Sequence, residues 1–100
     1  MDSLEYEVLS NLEAGRSMFR PRNLSSEAQQ AFVELIGLLL RLRRGGFVEF
    51  PDGRISKTAQ GTYLAVGPVE LAEAGRVAIA RERRVGERPG RTYDRLWWLD

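Results

Sequence analysis

Leu42-Arg43-Arg44-Gly45-Gly46-Phe47-Val48, followed further on by Val69-Glu70-Leu71-Ala72-Glu73-Ala74-Gly75-Arg76, decides how this chain reads. The first phrase has the form of a helix end, a glycine stop and the entry to a strand. The second has the form of a strand running straight into another helix. Between them, Phe47-Val48-Glu49-Phe50 reads as a strand over residues 47–50. Pro51-Asp52-Gly53 reads as a turn in which proline presets φ and glycine takes a left-handed conformation. Residues 54–58 and 62–66 read as two further strands around Ala59-Gln60-Gly61, and residues 69–71 are expected to pair back with the strand at Phe47. The outline is helix, β-ribbon, helix, within an α+β chain.

Working outward, Asp2 or Ser3 can cap a first helix over residues 2–14, with Leu4, Val8, Leu9 and Leu12 as its apolar stripe. Gly15 stops it. Residues 16–24, with Pro21 and Asn23, read as a loop with room for one short turn of helix. Ser25 or Ser26 opens the longest element, a helix over residues 25–44. Phe32, Leu35, Leu39 and Leu42 form one apolar face of that helix, and Val33, Ile36 and Leu40 a second. Its polar remainder is a narrow strip of Glu27, Gln30, Glu34, Gly37, Arg41 and Arg44. A helix apolar on two sides needs cover on more than one side, so a homodimer is expected, with Val33, Ile36 and Leu40 at the interface. A last helix covers residues 72–84, with Val77, Ala78, Ile79 and Ala80 as its apolar content.

Composition narrows the function classes. One hundred residues suit one compact domain. No apolar run approaches the roughly 18 residues of a membrane helix, and a bacterial cytoplasm is the expected compartment. The chain has no cysteine and no histidine. Thiol nucleophiles, serine–histidine pairs and ordinary zinc sites are therefore excluded, and neither an enzyme, a metal nor a cofactor is expected. Net charge is +1, yet the charges are segregated. Asp2, Glu5, Glu7 and Glu13 precede the first arginine, whereas residues 76–95 hold seven arginines against Glu82, Glu87 and Asp94. A nearly neutral protein can thus present a basic face.

Residues 35–80 resemble winged-helix transcription regulators of the MarR-like and PadR-like kind. The resemblance is carried by Leu42, Gly46, Phe47 and Val48, and by the returning phrase Leu71-Ala72-Glu73-Ala74-Gly75-Arg76. Ala72 stands where those families usually carry a threonine, and only residues 15–24 separate the first helix from the long one. The resemblance implies a winged-helix domain over residues 1–85 and double-stranded DNA as partner. It places Arg54 and Lys57 on the wing, and Arg20 and Arg22 on the loop before the long helix, near phosphates. Were residues 25–44 used as a reading helix, Ser26, Gln29 and Gln30 would face base edges. Glu27 and Glu34 speak for a plainer role: acids near a helix start and arginines at its end complement the helix dipole. Stacking of single-stranded bases on Phe47, Phe50 and Tyr63 is the weaker alternative, because strand aromatics usually pack in cores.

Residues 86–100 read as a linker and an aromatic tail carrying Tyr93, Trp97 and Trp98. Each buried Trp removes roughly 150–250 Å² from water, so the tail is expected to dock on its own domain or on a partner subunit. Two functions follow. The first is a DNA-binding transcriptional regulator that grips the backbone through wing and loop arginines. The alternative is a winged-helix module for protein–protein contact that binds no DNA.

Overall fold

The computed structural model describes residues 3–85; Tyr93, Trp97 and Trp98, with the expected docking of residues 86–100, lie outside them. The chain is mixed α+β. Helix α1 (Ser3–Glu13) precedes the long α2 (Ser26–Arg44). Short strands follow: β1 (Val48–Glu49), β2 (Ile55–Lys57), β3 (Tyr63–Val66) and β4 (Glu70–Leu71), before α3 (Glu73–Val85). The strands form two antiparallel pairs, β1 with β4 and β2 with β3. Val48 opposes Leu71 and Glu49 opposes Glu70, the pairing expected from sequence. The β2–β3 ribbon carries an irregularity between Ser56 and Lys57.

Local chemistry sets the boundaries. Ser25 caps α2, its hydroxyl accepting the Ala28 N–H at 3.2 Å. The glycine stop is a paired-bond motif: the Phe47 N–H reaches the Leu42 carbonyl at 2.9 Å and the Gly46 N–H the Arg43 carbonyl at 3.0 Å. Gly46, at φ +83°, takes the left-handed step that this geometry requires. Gly15 ends α1 in the same way, with φ +94° and an Arg16 N–H bond to the Asn11 carbonyl.

Helix α3 is docked by its third residue. A Cβ built on Gly75 would lie 2.6 Å from Leu71 Cδ1 and nearer still to the Phe47 carbonyl oxygen. Only glycine lets the first turn of α3 lie against the start of β1. The Ala72 N–H completes the joint by donating to the Phe47 carbonyl at 3.0 Å.

Val8, Leu9 and Leu12 of α1 meet Phe32, Leu35, Ile36, Leu39 and Leu42 of α2 in one core, with Val48, Phe50, Val66, Val69 and Ile79. Several expectations change here. The turn at residues 51–53 is a 3-10 helix, Asp52–Arg54, and among the described residues the positive-φ glycines are Gly15, Gly46, Gly61 and Gly67 rather than Gly53. Residues 16–24 are not all loop: Phe19, fully buried, bridges Val66 and adds a third antiparallel partner to the ribbon. Of the four consecutive apolar residues in α3, Ile79 alone is fully buried, while Val77 and Ala80 are exposed, because adjacent helical positions point about 100° apart.

Candidate functional site

The bridge of Phe19 to Val66 determines what lies around the ribbon. Both backbone bonds between the two residues are 2.9 Å, so the chain leaving Phe19 runs antiparallel to β3. Arg20 and Arg22, both exposed, lie on the loop between that bridge and the start of α2. Lys57 opposes Tyr63 across the ribbon, at the same end. Its ammonium lies 5.5 Å from the centre of the Tyr63 ring, and the side chain is exposed. Arg20 and Arg22 on the entry loop and Lys57 on β2 are thus exposed basic residues on the two sides of β3. Beyond Lys57 the ribbon closes through Thr58, whose N–H donates to the Thr62 carbonyl at 2.8 Å and whose hydroxyl accepts the Thr62 N–H at 3.1 Å.

Arg54 does not join that group. It sits at the other end of β2, half-buried, and its guanidinium donates to the Pro68 carbonyl. One of its N–H groups thus ties it to the turn at residues 67–68.

Gln29 is corrected more sharply. Its amide nitrogen donates to the Tyr63 carbonyl at 2.8 Å, and its amide oxygen accepts the Tyr63 N–H at 2.7 Å. The face of the amide that offers a donor and an acceptor side by side is thereby committed to β3 and does not read an adenine edge. Gln29 instead fixes the ribbon against α2, beside the Phe32–Tyr63 ring contact at 6.5 Å. Ser26 and Gln30 are exposed as expected. Gln30 shares the polar strip with Glu27, Glu34, Gly37, Arg41 and Arg44, all six exposed.

The second apolar face of α2 is mostly covered from within the chain. Ile36 is buried and Leu40 half-buried against the core; Val33, 48% exposed, is the one that faces outward. Phe50 is also buried, which removes it from any base-stacking surface.

Two side chains matter more than sequence reading credited. Arg43 donates to the Phe50 carbonyl at 2.9 Å, pairs with Asp52 at 2.8 Å and lies 4.8 Å over the Phe50 ring. It staples the end of α2 to the strand beyond the glycine stop. Arg83 pairs with Glu13 at 2.6 Å and ties α3 to α1; its pKa is held above the ordinary value mainly by that bond, with help from Tyr6. Gln29 did carry a signal, since a glutamine four residues before Val33 and seven before Ile36 heads an otherwise apolar stripe. Phe19 carried one too, as a large aromatic inside an arginine- and proline-containing loop.

No group of three or more acidic or other ligating side chains gathers to hold a metal among the described residues. No helix among them is long and apolar enough to cross a membrane. Compared with known families, curated proteins and solved structures, the chain matches none.

Proposed function

We propose that this chain is a small winged-helix protein that binds double-stranded DNA through its backbone and serves as a transcriptional regulator. The observation that carries the reading is the antiparallel ribbon β2–β3, flanked by Phe19 and pinned to α2 through Gln29. Arg20 and Arg22 before α2 and Lys57 on the ribbon are exposed around it. The topology supports the reading: an isolated bridge residue ahead of the long helix, Phe19, pairs with the ribbon that follows it, and the chain returns through β4 into a closing helix. Phosphates are the ligand that exposed arginine and lysine serve without base recognition.

In this account α2 does not read sequence. Gln29 is occupied by β3, and Glu27 and Glu34 on the exposed strip would face phosphate charge. Binding should therefore be strongly salt-dependent and weakly sequence-dependent, with a slope of about −0.9 in log K per phosphate neutralised. Fluorescence anisotropy of a labelled duplex, titrated at low and physiological salt, tests this. Binding that weakens with salt, and a slope reduced by about 1 in Lys57→Ala, support the proposal. No affinity for any duplex at low salt overturns it and leaves the protein-contact reading, which exposed Val33 and Leu64 favour.

A further inference from the structure

We infer that residues 86–100 of the same chain fold back across the outer face of α1 and seat there, with Trp97 and Trp98 as the apolar cover. The observation behind this is a helix buried on every side at its middle. Tyr6, Glu7, Val8 and Leu9 are consecutive and all buried. At about 100° per residue, four such positions go round most of a helix.

Leu4, Val8, Leu9 and Leu12 face the core shared with α2 and with Ile79 of α3. The opposite direction belongs to Ser3 and Ser10, with Tyr6 and Glu7 about 50° to either side. Arg83 edges that face from α3, held by Glu13 and Tyr6. Glu7 lies on the other side of Ser10 from that bond, yet it is only 1% exposed. The Ser10 hydroxyl oxygen is likewise out of reach of water and makes no hydrogen bond among the described residues. A helix covered on its core side alone would leave this face wet.

Reach and charge name the occupant. Helix α3 runs antiparallel to α1: Arg76 lines a cleft with Leu12 and Glu13, and Arg81 and Glu82 line another with Glu5. The chain therefore leaves Val85 near the start of α1. The residues that follow, 86–100, span up to about 50 Å when extended, ample for the roughly 10 Å from Ser3 to Ser10. Met1 and Asp2 adjoin Ser3, at the far end of the face from Ser10. Helix α1 holds Glu5, Glu7 and Glu13 and no basic residue, whereas residues 86–100 bring Arg88, Arg91 and Arg95. A buried carboxylate is costly unless a cation or donors meet it. Arg95 precedes Trp97 by two positions, so the same few residues bring a guanidinium to Glu7 and an indole over Ser10.

The test uses two features of the sequence: it has no cysteine, and Trp97 and Trp98 are its two tryptophans. A nitroxide is placed on Ala14→Cys, an exposed position one turn beyond Ser10. It should broaden both indole N–H signals in a ¹⁵N spectrum of the full chain. A nitroxide on Glu34→Cys, on the exposed side of α2, should leave them sharp. Equal broadening from both sites, or none from Ala14→Cys, overturns the inference. Broadening that appears when the spin-labelled chain is mixed with ¹⁵N-labelled unmodified chain overturns it too, because a second copy then supplies the cover. Independently, the thiol of Ser10→Cys should react about tenfold faster with a thiol reagent once Trp97→Ala and Trp98→Ala are added, with circular dichroism unchanged. Equal rates with and without the indoles would overturn it as well.

Discussion

Replacing Gly75 by alanine should unfold the joint between β1 and α3, and the size of the effect can be worked out from the geometry. The added methyl would meet the Phe47 carbonyl oxygen and Leu71 Cδ1 inside van der Waals distance. The oxygen belongs to backbone that is itself fixed, because Phe47 accepts from Ala72 and donates to Leu42. Overpacking costs about 1–3 kcal/mol, and a backbone partner that cannot rotate away puts this site near 3. Alanine recovers up to about 1 kcal/mol of helix propensity. The net loss is about 2 kcal/mol, or roughly 8–16 °C in Tm for a domain of this size. Thermal unfolding followed by circular dichroism measures it. Gly37→Ala, where the new methyl meets nothing, is the matched control and at high dilution should raise stability by up to about 1 kcal/mol. The same substitution thus carries opposite signs in two helices. An unchanged or higher Tm in Gly75→Ala would refute the claim that α3 is held by close approach at this residue.

Other outcomes follow from the same structure. Gly46→Ala forces a side chain into the left-handed step after α2 and should cost about 1–2 kcal/mol in chemical denaturation. Ser25→Ala removes the cap of α2 and should cost about 1 kcal/mol, with faster amide exchange at Ala28. Gln29→Leu leaves the Tyr63 N–H and carbonyl without their partner and, with both groups only part-buried, should cost about 2 kcal/mol, the low end of about 1–3 per orphaned group. At temperatures where it stays folded, its preference among duplex sequences should be unchanged, since Gln29 does not read bases here.

Much of the architecture was legible because local rules and tertiary packing agree. The glycines after Glu13 and Arg44 mark helix ends that the paired-bond motif then realises, and the β1–β4 pairing follows from a short strand on either side of the ribbon. The polar strip of α2 was readable by period alone. What escaped depends on contacts between residues far apart in sequence. Phe19 makes its bridge across 47 positions to Val66, a partnership that no local pattern specifies. Gln29 looked like a free amide in the first turn of a helix, yet a backbone 34 residues away uses both its ends. Ile36 looked surplus because the cover that one chain gives its own helix cannot be measured from a periodicity. The bond of Arg54 escaped for the same reason, since the carbonyl that accepts it lies 14 residues on.

The most direct test of the nucleic-acid reading is residue-resolved: ¹⁵N chemical-shift mapping of the labelled protein as a short duplex is added at low salt. The account predicts that perturbed amides cluster at residues 20–23 and 56–62, while the strip from Gln30 to Arg44 stays silent. Shifts centred on that strip, or none anywhere as the duplex approaches saturation, would contradict it.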